Sequence, residues 1–342
     1  TAYLNIINTV VQEQIEHLKS SAFDAGTEIS KYFEMLPDEA PLKKMYMAMH
    51  TTEDSQEKEK LQKLLRENVT PGSIDVNIMT KVDKTNYFKK EELPSEYNDA
   101  HAALRGFATS DLNASIVFSA GMNPKLFTYL TSFEDFYPDK NGYLKKRIIL
   151  KVSDYRSAII QGKFFAKKGL WVSEFRIESG LNCGGHAFAS DGYLMGPILE
   201  EFKQNKDALI NDVHEILTNA LKNSGKNIPS EPLNLSITVQ GGVGTSEEHE
   251  FLLDNYNIDS VGWGSPFLLV PEATTVDSKT RETLRNATEK DLYLSNVNLK
   301  MNEVMKVMTI TTCLLAPATV IGGIFGMNFE VIPIAHQAYG FY

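Results

Sequence analysis

Cysteine and clustered basic residues are both scarce in this sequence. The two cysteines, Cys183 and Cys313, lie in very different sequence surroundings, so a disulfide framework is not expected. We therefore expect the protein to reside in a reducing compartment. The net charge is −10, and the longest basic run is only Lys145, Lys146 and Arg147. A surface that binds nucleic-acid phosphates needs a basic field, which argues against a general nucleic-acid-binding role.

The N-terminus lacks the pattern of a secretory signal peptide, because Glu and Gln interrupt the apolar positions of residues 1–18. The first residue is Thr1 rather than Met, from which we expect a processed, trimmed or fragmentary chain. Apolar residues make up 42% and charged residues 23% of the chain, which are ordinary values for a globular protein. At 342 residues, one large α/β domain or a smaller domain with an appendage would fit.

The periodicity of apolar residues changes along the chain and predicts three parts. Residues 1–72 have helical spacing and form a helical N-terminal segment. Residues 73–290 alternate between apolar strands and helices, which is typical of a parallel sheet, either a (β/α) barrel or a doubly wound sheet. We predict a (β/α) TIM-like barrel for this part. Residues 291–342 form a separate C-terminal segment.

Three glycine turns follow predicted strands, where parallel α/β folds place their binding sites. Glycines allow a close approach of the backbone to a ligand, and a following helix N-terminus favours phosphate. After the second turn, Thr245 or Ser246 is expected to cap a helix that has Glu247 and Glu248 in its first turn. The alternative is that these glycines only make tight turns. The turns are Asn182-Cys183-Gly184-Gly185-His186, Gly241-Gly242-Val243-Gly244-Thr245 and Gly262-Trp263-Gly264-Ser265.

His186 is the candidate catalytic residue, because among the seven histidines it alone directly follows a Gly-Gly turn at a strand end. A histidine there can donate to a substrate oxygen or act as a base near neutral pH. A structural histidine bound to backbone is the alternative. Cys183 lacks an identifiable base, and no Cys/His spacing predicts a zinc site.

The stretches "SGLNCGGHAF", "ITVQGGVGTSEEHEFLL" and "IDSVGWGSPFLLVPEA" resemble the flavin-dependent TIM barrels of the nitronate monooxygenase type over about residues 73–276. The resemblance implies an oxidoreductase with His186 beside the flavin ring of FMN as base or substrate contact. It also places Lys151 under the flavin, although a lysine at a strand end equally fits an ion pair. The implied cofactor-binding set is Lys151, Asn182, Gly184, Gly185, Gly241, Gly242, Gly262, Gly264 and Ser265.

One long run, residues 307–325, contains no charged residue. Its length is near the minimum for a helix that crosses a bilayer, so we predict a transmembrane-type helix. A buried helix of a soluble core is the alternative. Lys300 and Lys306 precede the run, which predicts that its N-terminal end is cytoplasmic.

The segment from about Tyr293 onward, with "MNEVMK" and Gly326-Met327-Asn328, resembles the first transmembrane helix and following loop of the CorA magnesium-channel family. The resemblance implies a pentamer whose loops form a ring of oxygen ligands for hydrated Mg²⁺ at Gly326, Met327 and Asn328. In that family a second transmembrane helix follows, beyond the position of Tyr342.

Together these observations predict an FMN-dependent oxidoreductase-like body that acts on a small molecule. The body is expected to be cytoplasmic and associated with the inner membrane through residues 307–325. The alternative is a CorA-type magnesium or divalent-cation transporter that works as a homo-oligomer. A further alternative is a hybrid or truncated chain in which neither activity is complete.

Overall fold

The computed structural model describes residues 1–80, 83–178, 195–241, 243, 245–263 and 277–288. The chain divides into two compact units, Thr1–Phe267 and Leu268–Tyr342. The boundaries predicted at residues 72 and 290 stay predictions.

The N-terminal segment is helical, as its periodicity predicts. It contains α1 (Ala2–Ser20), α2 (Glu28–Glu34), α3 (Pro41–Thr51) and α4 (Ser55–Glu67). Its small core is aromatic, with the rings of Phe33 and Tyr46 stacked at 5.6 Å between centroids. Arg66 of α4 donates to the carbonyl of Ser21 at 2.6 Å, which ties α4 to the end of α1. The buried members of this core are Ile29, Phe33, Tyr46, Met49, Leu65 and Val69.

A six-stranded parallel sheet follows, in the order β1-β4-β5-β6-β7-β8. Its strands are β1 (Val76–Ile78), β4 (Ala114–Phe118), β5 (Lys146–Val152), β6 (Val172–Glu178), β7 (Ser236–Gln240) and β8 (Ser260–Gly262). A separate hairpin joins β2 (Tyr87–Phe88) and β3 (Glu91–Glu92). The six strands of the parallel sheet lie within residues 73–290, where alternating strands and helices are predicted.

The helices between the strands are α5 (Asp99–Ala108), α6 (Pro124–Tyr129), α7 (Tyr155–Ala166), α8 (Met195–Ser224) and α9 (Ser246–Tyr256). Short polar residues begin several of them, because a side-chain oxygen satisfies an otherwise unpaired N–H group. Asp154 accepts from Ser157 N at 2.6 Å, and Asn123 accepts from Leu126 N at 3.2 Å. The longest of these helices is α8, a single helix of 30 residues.

The strand order decides between the two predicted sheet types only in part. Each described strand pairs with the strand before it in the sheet, so the crossovers run in one direction. A doubly wound sheet reverses direction at a switch point, and these strands do not. In the described pairings, however, β1 and β8 each have one neighbour, so closure into a barrel is not confirmed. The supported description is an α/β fold with a parallel sheet and N-terminal helices.

The two faces of the sheet differ in chemistry, because successive side chains of a strand point to opposite faces. On one face, Ile148, Leu150 and Val152 of β5 pack in the main core with residues of the helices. On the other face, β5 presents Arg147, Ile149 and Lys151, and Ile149 is also buried. The second face therefore places charged side chains at buried or half-buried positions.

In the second unit the described helix is α10 (Ser278–Asn286), which begins where Asp277 accepts from Thr280 N at 3.0 Å. Across the described ranges, no helix has both the length and the apolar composition needed to cross a bilayer. The span predicted at residues 307–325 lies outside those ranges, so it stays a prediction.

Candidate functional site

The sheet face opposite the main core, here called the polar face, carries an ion pair at the carboxyl edge of the sheet. Lys151 Nζ at the end of β5 contacts Glu178 Oε1 at the end of β6. The side chains are only 20% and 11% exposed. In the strand register Lys151 lies opposite Arg176, and Glu178 lies opposite Gln240 of β7. Of the two roles weighed for Lys151, the structure shows the ion pair.

A second polar group lies lower on the same face. Glu174 accepts from Arg176 Nε at 2.8 Å and from the Thr238 hydroxyl at 2.6 Å. The register shifts between Ile148 and Ile149 as β5 pairs with β6, which leaves Ser173 as the extra residue of a bulge. The Ser173 hydroxyl is buried without a hydrogen-bond partner. On this face Glu174 thus has hydrogen-bond partners, whereas the Ser173 hydroxyl has none.

The second and third glycine turns begin side by side. Gly241 N lies 3.5 Å from the carbonyl oxygen of Gly262, at the ends of β7 and β8. A side chain at Gly262 would come within 3.2 Å of Gln240 Cγ, so glycine allows close packing there. The Gln240 Oε1 atom is buried and has no hydrogen-bond partner. The edge therefore offers one unsatisfied carbonyl-type acceptor beside two glycines.

Of the two predicted N-cap candidates, Thr245 is the one that caps α9, and it does so in a capping box. The Thr245 hydroxyl accepts from Glu248 N at 3.2 Å, and Glu248 Oε2 accepts from Thr245 N at 3.2 Å. The backbone N–H of Glu247 itself, followed by the Thr245 hydroxyl, lowers the pKa of the Glu247 carboxyl. Because protein groups bind these N–H groups and two carboxylates lie in the first turn, this helix end does not favour an added phosphate.

His249 on α9 contacts the third glycine turn. Trp263, in the third glycine turn, donates from Nε1 to His249 Nδ1 on α9 at 2.8 Å. The contact joins the helix after the second turn to the third turn, which sequence spacing did not suggest.

The structure tests few of the predicted site residues directly. It brings Gly241 and Gly262 together, while Lys151 stands on β5, with β6 between it and β7. In the described part of the chain, no group of three or more His, Cys, Asp or Glu side chains is placed to hold a metal ion. Outside the described residues lie Asn182, Gly184, Gly185, His186, Gly242, Gly264, Ser265, Gly326, Met327 and Asn328.

Lys146 is a buried charged group that sequence reasoning missed. It is 1% exposed, and Nζ donates to Ser110 O at 2.9 Å, Ser110 Oγ at 2.9 Å and Leu112 O at 2.6 Å. Its ammonium also lies 4.6 Å from the Phe107 ring centroid. Burial, with a smaller effect of Lys145, lowers the pKa of Lys146 to about 8. In the sequence it looked like one member of a basic run.

Comparison with known proteins concerns the C-terminal segment. Residues 273–342 match the family of CorA-like Mg²⁺ transporter proteins. The cobalt/magnesium transport protein CorA of Thermotoga maritima is 47% identical over 64 residues, which are 18% of each chain. The magnesium transport protein CorA of Helicobacter pylori 26695 is 35% identical over 75 residues, or 22% of each chain. The chain therefore matches about a fifth of the length of these relatives.

Among solved structures, the chain is similar to the enoyl reductase domain of MlnA from the macrolactin biosynthesis cluster of Bacillus amyloliquefaciens. The TM-score is 0.42 and the identity 15%, over 68% of this chain and 50% of that chain. A likeness this weak supports no conclusion about fold or function. The CorA part of the sequence resemblance is supported by the relatives, whereas they give no support to the flavin-dependent oxidoreductase.

Proposed function

We propose that the C-terminal segment forms the ion-conducting part of a divalent-cation transport protein, with Mg²⁺ as the substrate. The observation that supports this proposal is the family match over residues 273–342, a segment that contains Gly326-Met327-Asn328. The curated relatives that match here are named magnesium or cobalt/magnesium transport proteins. The family match covers only this segment, so cation transport by the whole chain is part of the proposal.

The chemistry of the three residues suits a hydrated cation. Magnesium prefers oxygen ligands and gives up its waters reluctantly, so a loop that contacts the hydration shell is a favourable arrangement. The Asn328 amide and the carbonyls of Gly326 and Met327 offer such oxygens. In the proposed assembly, residues 307–325 cross the membrane and a pentamer repeats the loop around one axis.

The test is Mg²⁺ uptake into liposomes that contain the purified full chain and an internal Mg²⁺-sensitive dye. We expect uptake by the wild type and at least a tenfold lower rate for Asn328→Ala. Gln337→Ala is the matched control, because it removes an amide within the same segment but outside the Gly-Met-Asn motif. Equal uptake by Asn328→Ala and wild type would contradict the proposed role of Asn328. Absent uptake by a folded wild-type oligomer would contradict transport.

A second candidate function concerns the sheet domain, as an FMN-dependent oxidoreductase. The observation that favours it is the sequential parallel strand order, with Gly241 and Gly262 adjacent at the carboxyl edge. The capping box of α9 weighs against a phosphate at that helix end, so turn glycines would have to hold the FMN phosphate. Visible flavin absorbance of the purified chain, or after addition of FMN, tests this candidate. A colourless protein that takes up no FMN would eliminate it.

A further inference from the structure

A buried aspartate–histidine pair lies between the loop after β1 and the first turn of α5. His101 Nδ1 is 2.6 Å from Asp83 Oδ2, and the two side chains are 4% and 7% exposed. Asp83 also accepts from the backbone N–H of Ala100 at 3.1 Å and of His101 at 3.2 Å. Both carboxylate oxygens therefore act as acceptors at the N-terminus of α5.

This geometry fixes the tautomer of His101. Because Asp83 acts as the acceptor, Nδ1 must carry the proton of a neutral imidazole, which leaves Nε2 as an acceptor. Within the described part of the chain, no hydrogen bond to Nε2 is found. The ring is held further by Tyr129, whose ring centroid lies 5.0 Å from that of His101. Asp83 and Tyr129 thus orient the imidazole, and the described residues leave Nε2 available for a ligand.

His101 lines a cavity of about 640 Å³. The cavity is widely open to solvent and lies beside α6, with further lining residues just after that helix. Hydroxyl groups dominate its polar lining, and Lys125 is the charged side chain among the lining residues. Besides His101, the lining includes Ser95, Lys125, Thr128, Tyr129 and Ser132.

The chemistry of the lining restricts the ligand. In the neutral imidazole with its proton on Nδ1, Nε2 accepts a hydrogen bond, and a ligand hydroxyl can donate one. Lys125 favours a negative charge, and a single imidazole beside a lysine is a poor site for a metal cation. We propose that this cavity binds a small hydroxylated anion, whose hydroxyl donates to His101 Nε2 and whose charge faces Lys125. The anionic group is a phosphate or a carboxylate.

The proposal does not depend on cation transport, since its residues lie in Thr1–Phe267 and its readout is ligand binding. The experiment uses the full chain with ¹⁵N-labelled histidine, and long-range ¹H–¹⁵N spectra resolve seven histidines. We expect His101 to show a proton on Nδ1 and none on Nε2. A proton on Nε2 in the unliganded protein would overturn the proposal.

Glycerol 3-phosphate and glycerate are the two probes, and they distinguish the phosphate from the carboxylate. We expect one of them to shift the His101 Nε2 resonance in a saturable way. Glycerol and inorganic phosphate each lack one of the two features, so each should bind at least tenfold more weakly. If neither probe shifts this resonance, the cavity does not take such a ligand.

Lys125→Ala tests the charged contact without disturbing the buried pair. We expect at least a tenfold loss of affinity while the His101 tautomer stays unchanged. Lys140→Ala removes another exposed lysine, outside the cavity, and should bind like the wild type. Unchanged affinity of Lys125→Ala would overturn the assignment. This variant keeps the test valid even where a substitution of His101 prevents folding.

Discussion

Lys151 at the carboxyl end of β5 is paired with Glu178 at the carboxyl end of β6, on the sheet face opposite the main core. The strand register brings the two ends together, and both side chains are largely buried. Burial of the pair has a desolvation cost that the mutual attraction offsets only while both partners are present. Removal of either partner alone should therefore destabilise the folded chain.

Lys151→Met should lower the free energy of unfolding by about 2 kcal/mol, because it leaves Glu178 largely buried without a countercharge. This value lies below the usual 3–5 kcal/mol for fully buried pairs, since both groups keep some exposure. Tryptophan fluorescence during guanidinium unfolding measures it. The double substitution Lys151→Met and Glu178→Leu is the control and should recover most of the loss. A double variant as unstable as the sum of the two single variants would show that the pair is not coupled.

Lys146 should make stability depend on pH in the alkaline range. The pKa of Lys146 is about 8 in the folded chain, against an ordinary 10.5. Between these pH values the unfolded state binds more protons, so the free energy of unfolding rises with pH. The rise attributable to this residue should be on the order of 3 kcal/mol.

The measurement for Lys146 is the difference in unfolding free energy between the wild type and Lys146→Met at several pH values. Other groups that titrate in this range are present in both proteins and cancel in the difference. We expect the difference to grow in favour of the wild type from pH 8 to about 10.5. A constant difference across this range would mean that Lys146 is not the titrating group.

Local sequence patterns predicted most of the described secondary structure. The alternation of strands and helices predicted after residue 73 is found in β5 and α7, and Asp154 caps that helix. Thr245 or Ser246 was expected to cap α9, and Thr245 does so. These features depend on neighbours in the chain, so a single sequence contains the information.

Features that depend on distant residues were not predictable in this way. Lys146 is buried because it donates to carbonyl groups more than thirty positions earlier. His101 pairs with Asp83 across a hairpin, and neither residue stood out by spacing. The sequence could not predict the partner of Lys151, because a lysine at a strand end fits both an ion pair and a ligand contact. The register between β5 and β6 is what brings Glu178 within reach of Lys151.

Thr245→Ala should lower the free energy of unfolding by about 1 kcal/mol, because the backbone N–H of Glu248 loses the hydroxyl acceptor of the capping box. Amide hydrogen exchange in the first turn of α9 should become faster. Ser246→Ala is the control, since the hydrogen bond found for the Ser246 hydroxyl among the described residues goes to the neighbouring Glu247 carboxylate, at 3.5 Å. Equal effects of the two substitutions would show that the box does not stabilise the helix end.

Gly169 and Gly225 form a natural pair for separating backbone strain from packing. Each follows a helix, α7 or α8, in the left-handed region, with φ of 76° and 67°. Similar hydrogen bonds close both ends, from Leu170 N to Phe165 O and from Lys226 N to Leu221 O. Substitution by alanine at either position should therefore lower the free energy of unfolding by about 1 kcal/mol through backbone strain alone.

The surroundings of the two glycines differ. A Cβ atom at Gly169 would lie 3.2 Å from the Tyr137 ring and 3.3 Å from Leu221, whereas at Gly225 nothing lies within 4 Å. Gly169→Ala should thus destabilise the chain by roughly 1 kcal/mol more than Gly225→Ala, as overpacking adds to strain. Guanidinium unfolding of both variants measures the difference. Equal losses would mean that the Tyr137 ring moves aside without cost, and that the close approach of α7 and α8 does not require glycine.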